Sequence, residues 1–285
     1  MRFIRYIRSL GMRSGVCFAL LGLVGVVKVR AELPAQTQAA EIAKWRKTCA
    51  GIDPARDPGG WCLAAENLAN LLWHEGGGAE AEMLLRRIVE RRTKLYGAEH
   101  PRTLNSMAYL ALYLVRQDSD ESERLYRAAL SGLEKKLGIN HGDTRLVMSN
   151  LASMLRRKGD YAGAEPLVRR MLALHEKERG VRDWRTNETV GDLADVLKAK
   201  GDYAAAVPLY RRYLDGQKEA IGPDTIEVAS TAYDFSIVCE KLNRDDEALA
   251  LAKEAVEHAR KDKSNRPEKL PLFEKRLAEL EAAAK

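Results

Sequence analysis

One passage of this chain is written twice. Residues 150–167 read NLASMLRRKGDYAGAEPL and residues 192–209 read DLADVLKAKGDYAAAVPL, a displacement of 42 residues. Self-similarity at this period marks a unit that cannot bury its own apolar face and stacks on copies of itself, which predicts a solenoid. An array grows by adding units, so 285 residues predict one elongated body in place of the one or two domains that this length ordinarily implies.

The phase of the array is set by a small residue. Ala69, Ala111, Ala152, Ala194 and Ser236 recur at spacings of 42, 41, 42 and 42, which gives five units. Each has an apolar residue just before it (Leu68, Leu110, Leu151, Leu193, Phe235) and another three positions after (Leu72, Leu114, Leu155, Leu197, Cys239). That spacing places them on one face of a helix. Gly76, Asp118, Gly159, Gly201 and Asn243 mark the turn that follows, and Asp160, Asp202 and Asp245 are expected to cap the second helix. The second helix carries its own small residue, Ala81, Ser122, Ala164, Ala206 or Ala248, so two axes can approach closely. Pro166 and Pro208 fall near its start, where a missing donor costs least. Gly97, Gly138, Gly180 and Gly222 close the units.

Taken together, Asn-Leu-Ala-x-x-Leu, Lys-Gly-Asp-Tyr, Ala-Glu-Pro-Leu and the Leu-Tyr-Gly-Ala-Glu-His100-Pro101 turn resemble the 42-residue tetratricopeptide repeats of kinesin light chain type, over about Trp61 to Lys261. The resemblance implies an all-α, right-handed α-solenoid of about five helix-turn-helix repeats. Repeat two departs from the pattern at Asp118-Ser-Asp-Glu-Ser, and repeat five at Ser236. Capping helices are expected at Gln36 to Thr48 and Leu270 to Ala284, because an array leaves apolar faces at its ends. The expected organisation is a signal peptide over 1–31, a helix and Cys-bracketed loop over 32–60, the array over 61–262 and a C-terminal cap over 263–285.

The net charge of +6 would suggest a nucleic-acid partner if it were spread over the fold. It is not. Residues 1–31 hold six basic residues and no acid, and the remainder holds 41 of each sign, interleaved. A phosphate-binding surface needs clustered, uncompensated cations, so nucleic acid is not an expected partner. The excess belongs to a leader: a basic stretch, thirteen apolar residues from Gly15 to Val27, then Val29-Arg30-Ala31. Thirteen residues are too few to span about 30 Å of hydrocarbon. The expectation is an exported protein, periplasmic or extracellular, cleaved after Ala31 and free of the membrane thereafter; an uncleaved N-terminal anchor is the alternative. Cys17 lacks a lipoprotein context.

Export bears on the cysteines. Cys49 and Cys62 bracket a Gly- and Pro-rich segment expected to be a loop, and a disulfide between them would contribute roughly 3 kcal/mol on the chain-entropy model. The alternative is two small apolar residues at helix ends. Cys239 stands where other repeats have leucine and is expected to be a buried thiol. No zinc-ligand spacing is present.

Catalytic motifs are absent from the sequence: no nucleophile elbow, P-loop, Gly-x-Gly-x-x-Gly or His-Glu-x-x-His occurs. Gly76-Gly-Gly78 follows no strand. His100 and His141 recur in the inter-repeat turn and read as turn residues, while His74, His175 and His258 are scattered on helices. A non-catalytic scaffold without metal or cofactor is expected, binding a protein or peptide; the alternative is an accessory or substrate-delivery subunit of an envelope enzyme or secretion complex.

By resemblance, first helices line a concave groove and their non-core positions meet the partner. Those positions are Glu66, Asn67, Asn70 and Trp73; Tyr109, Leu112 and Arg116; Asn150, Ser153 and Arg157; Glu188, Asp192 and Asp195; and Tyr233, Asp234 and Ile237. Asn67 and Asn150 match the asparagine that the family uses to hold an extended backbone, an amide offering both donor and acceptor. Arg156 and Arg157 beside Glu188, Asp192 and Asp195 suggest a groove selecting mixed charge. The leader reading is checked by intact-mass measurement of protein recovered from its native envelope: the expected N-terminus is Glu32, and a retained Met1 indicates the anchor.

Overall fold

The computed structural model describes residues 35–74, 78–115, 117, 119–262 and 267–284. The expected leader over 1–31 with Cys17 and the expected cleavage point, Gly76, Arg116 and Asp118 lie outside the described residues. Among those described there are twelve α-helices, one 3-10 turn at Pro267–Lys269 and no strand. The helices are α1 (Ala35–Gly51), α2 (Pro58–His74), α3 (Gly78–Tyr96), α4 (Pro101–Leu114), α5 (Ser119–Leu137), α6 (Gly142–Lys158), α7 (Tyr161–Arg179), α8 (Trp184–Lys200), α9 (Tyr203–Ile221), α10 (Ile226–Glu240), α11 (Asp245–Lys261) and α12 (Leu270–Ala283).

Two compact units meet at the Lys158 to Gly159 junction. In the first, each helix from α1 to α6 packs on the next, and α4 also touches α6. In the second, α7 to α12 pack in the same sequential way. The fold within each unit is therefore the all-α helix-turn-helix repeat that the periodicity implies.

The small residues behave as the spacing requires. Ala111, Ala194, Ser236, Ala81, Ser122, Ala164, Ala206 and Ala248 are completely buried, and Ala69 and Ala152 nearly so. In repeat two the contact is explicit, since Ser122 Oγ donates to the Ala111 carbonyl at 2.7 Å. The apolar partners Leu68, Leu114, Leu151, Leu155, Leu193, Leu197 and Phe235 are all buried beside them. Truncating such a leucine to alanine ordinarily costs about 2–5 kcal/mol.

Turn chemistry explains where the helices stop. Gly201 has φ +83°, and its N–H reaches back to the Leu197 and Lys198 carbonyls while Asp202 N–H reaches Leu197, so the last turn of α8 is closed. Asp160 Oδ1 then accepts from Gly163 N–H at 2.9 Å and Asp202 Oδ1 from Ala205 N–H at 3.2 Å. Between repeats, His100 Nδ1 accepts from Arg102 N–H, His141 Nδ1 from Asp143 N–H, Asp183 Oδ1 from Arg185 N–H and Thr225 Oγ1 from Val228 N–H. Each of the four caps the first helix that follows.

Three expectations change. Asp245 does not cap α11: Arg244 holds the cap position without a side-chain bond, and Asp245, Asp246 and Glu247 occupy the first turn. There they face the positive end of the helix dipole. Pro166 and Pro208 lie inside α7 and α9, several residues past the start. The expected loop between Cys49 and Cys62 shrinks to residues 52–57, because α1 runs through Gly51 and α2 opens at Pro58. Asp57 accounts for the second boundary. Its Oδ1 accepts from Gly60 N–H at 2.8 Å, and Pro58 sits at the first helical position, where no donor is needed.

The expected bridge is not formed in this structure. Cys49 and Cys62 are free thiols. Cys62 is buried within α2 in an apolar cluster with Trp61, Leu68 and Leu72, and Cys49 packs against the same cluster with Ile42 and Trp45. Burial pushes both thiols above their ordinary pKa, which disfavours the reactive thiolate. Cys239 is fully buried as expected, and burial, reinforced by Glu247, pushes it up to about 12.

Ion pairs repeat with the fold. In the first unit Lys158 at the end of α6 reaches Glu123 of α5 at 2.8 Å, and Arg127 holds the same carboxylate from one turn along. In the second, Lys200 at the end of α8 reaches Glu165 of α7, with Arg169 in the place of Arg127. These cations hold both carboxyls below the usual range, Lys158 and Lys200 contributing most.

Two outcomes follow from this packing. Ala164→Leu inserts three carbons where there is no room, and urea denaturation should show about 1–3 kcal/mol lost. Glu165 has a depressed folded pKa, so its stabilisation is complete above the unfolded value of about 4.3 and disappears as pH falls through the folded value. Thermal melts of wild type and Glu165→Gln should therefore differ at pH 7 and converge only once the pH has fallen through the lowered folded value.

Candidate functional site

The first helices of the repeats, α2, α4, α6, α8 and α10, carry every position assigned to partner binding except Arg116. In the first unit the structure divides them by role. Glu66 is committed to the fold: Arg92 of α3 grips its carboxylate at 2.5 and 3.0 Å and bonds Ser106 Oγ of α4 at 2.7 Å. One arginine thus ties three consecutive helices together, with its side chain only 15% exposed. Trp73 meets Tyr113 edge-on at 5.7 Å, and Tyr109 and Trp73 both pack against the core cluster. Burial, with Glu66 nearby, pushes the Tyr109 hydroxyl above its ordinary pKa.

What the first unit presents is a row of neutral polar groups ending in a cation. Asn67 is half-buried and turns its amide onto the Leu63 carbonyl at 2.9 Å. Asn70, Leu112, Asn150 and Ser153 are half-buried, and Arg157 is exposed at the end of α6. Arg116 lies outside the described residues.

The second unit presents carboxylates. Glu188, Asp192 and Asp195 follow at intervals of four and three along α8, which aligns them on one stripe, all half-buried. Asp195 accepts a 2.5 Å hydrogen bond from the buried Tyr210, whose ring stacks on Phe235 at 5.8 Å. Tyr213 OH lies 3.5 Å from Glu188. On α10, Asp234 pairs with Lys198 at 2.8 Å. Tyr233 is half-buried and its ring lies 5.2 Å from Phe273 of α12, so the last helix covers part of it. Ile237 is half-buried beside it. Four acidic groups are thus gathered on the first helices of this unit.

The expected neighbours Arg156 and Arg157 belong to the first unit and the carboxylates to the second. Sequence spacing found the rows but missed the ties that hold them. Arg92, Tyr210 and Lys198 come from helices or turns 26, 15 and 36 residues away from the groups they fix. No group of three His, Cys, Asp or Glu among the described residues is placed to hold a metal ion. No described helix is long and apolar enough to cross a membrane.

Comparison with known proteins agrees with this geometry. The tetratricopeptide repeat model matches residues 62–135, 111–177 and 185–261, well over half of the chain. The chain belongs to the tetratricopeptide repeat family. No curated protein matches it. Among solved structures, a kinesin light chain-like protein of Podosopora anserina with nearly identical TPR-like repeats is 20% identical, covers 75% of this chain and 99% of its own, and superposes with a TM-score of 0.62. BtubC (BKLC) from P. vanneervenii is 19% identical over 78% of this chain and 88% of its own, with a TM-score of 0.61. YrrB, a TPR protein with an unusual peptide-binding site, is 17% identical over 86% of this chain and 99% of its own, with a TM-score of 0.51. At these identities the likeness is one of fold, and the repeats are similar to those of kinesin light chain-type proteins.

Proposed function

We propose that the protein is a non-catalytic scaffold that holds a peptide or partner protein along its first-helix faces, and that it does so after export. The observation that carries this reading is the stripe of Glu188, Asp192 and Asp195 with Asp234 beside it, half-buried groups left at the surface by an array whose other conserved spacing goes into packing. The family supports an interaction role, and the leader supports a partner met outside the cytoplasm. An acidic face of this kind favours a basic segment and speeds its encounter, with affinity falling as salt rises. In the first unit, Asn70, Asn150 and Ser153 offer amide and hydroxyl groups to a peptide backbone, and Arg157 suits a carboxylate.

A photo-crosslinking side chain placed at Asp192 or Asn150 should yield a discrete adduct in the native envelope. The same group at Arg169, exposed on the second helix of repeat three, should yield none. Replacing Asp192 and Asp195 by arginine should abolish the adduct that a crosslinker at Glu188 forms with a basic partner. Equal adducts from Asp192, Asn150 and Arg169 would show that these faces are not where a partner lies.

A further inference from the structure

Seven residues before the small residue of each first helix stand Cys62, Leu104, Arg145, Asn187 and Ala229. At two of these places the side chain lies on the bare backbone of a glycine in the following helix. A Cβ built on Gly132 of α5 would come within 2.6 Å of Leu104, and one built on Gly216 of α9 within 2.6 Å of the Asn187 carboxamide. In repeat two the seat is therefore filled by leucine and sealed. In repeat four the same seat holds a carboxamide that is 9% exposed. Asn187 Nδ2 donates to the Tyr213 carbonyl at 3.1 Å, while Oδ1 accepts from none of the described residues. That oxygen is not among the polar atoms shut off from solvent without a partner, so it stands as an open acceptor that a peptide N–H can reach.

Above Asn187 opens a cleft of about 740 Å³ between the turn that precedes α8 and the outward side of α9. Its walls include Val181 and Trp184, which are 60% and 42% exposed, and Pro208. The arginines at its edge are largely spent. Arg212 pairs with Glu176 at 2.6 Å, and Arg211 with Glu247 at 2.5 Å. Asp215 and Glu219, one turn apart on α9, line the cleft and pair with no cation among the described residues. Against these two carboxylates stands one unpaired cation, Arg182 on the opposite lip.

We propose that this cleft is a second recognition site, distinct from the first-helix faces, for an extended peptide segment of apolar and basic character. A backbone N–H of the peptide bonds Asn187 Oδ1, an aliphatic side chain rests on Val181 and Trp184, and a lysine or arginine lies against Asp215 and Glu219. All of these residues line one cleft, so the basic and the aliphatic residue are close neighbours in the peptide. None of these residues belongs to the stripe on α8, so the site stands or falls independently of the scaffold reading.

The test uses the full chain and two capped heptapeptides, Gly-Gly-Leu-Gly-Lys-Gly-Gly and the same sequence with Glu in place of Lys. The readout is the indole N–H resonance of Trp184, assigned by its loss in Trp184→Phe. The lysine peptide should shift this resonance saturably and leave those of Trp45, Trp61 and Trp73 in place; the glutamate peptide should bind at least tenfold more weakly. Asn187→Leu restores the side chain that repeat two uses in this seat, so the variant should fold with an unchanged or higher melting temperature and lose at least tenfold in affinity. Asp192→Asn should leave the cleft titration unchanged. A Trp184 resonance that does not move, that responds equally to both peptides, or that titrates alike in Asn187→Leu would overturn the proposal.

Discussion

Everything in each unit depends on two helices coming close enough for a small side chain on one to meet the backbone of the other. Ser122 donating to the Ala111 carbonyl makes that contact visible as a bond of 2.7 Å, and at the matching places Ala164, Ala206 and Ala248 are fully buried. Once the axes are fixed at that separation, the leucines on either side have only one place to go. The core is thus a consequence of the small positions and not the reverse. A closely packed interior tolerates neither added nor missing volume well, which is why the spacing of 41 to 42 residues is kept while most other positions drift.

Charge does a different job. Glu123 and Glu165 are clamped by lysines from the end of the next first helix, and Arg92 joins α2, α3 and α4 through Glu66 and Ser106. Exposed pairs of this sort contribute little each. Their value is in register, because each acid meets its base only if successive repeats stack in the correct phase. The carboxylates of the α8 stripe, by contrast, meet tyrosine hydroxyls, Asp195 that of Tyr210 and Glu188 that of Tyr213.

Much of this was legible in the sequence, for local reasons. Gly201 and Asp202 act on the chain within four residues, so turn and cap can be read from the string itself. Asp245 was misread because repeat five shifts its acids one position past the cap, a slip that only the backbone at Asn243 reveals. The loop between Cys49 and Cys62 was drawn too long for the opposite reason: Gly59 and Gly60 argue against a helix, but Asp57 and Pro58 supply a start strong enough to override them, which leaves residues 52–57 as the loop. Glu66 and Asp195 were placed on the right helices, yet their commitments to Arg92 and Tyr210 arise across repeats and leave no mark in local spacing.

The last helix carries a lesson about how such a chain can change length. Arg276 of α12 is buried, holds the Ser236 carbonyl at 3.3 Å and Glu240 at 3.0 Å, and brings Phe273 against Tyr233. These grips occupy the surface on which a sixth repeat would have to sit. A longer relative would therefore arise by duplication in the interior, upstream of α10, with the terminal helix carried along unchanged, and growth at the carboxyl end would first have to evict it.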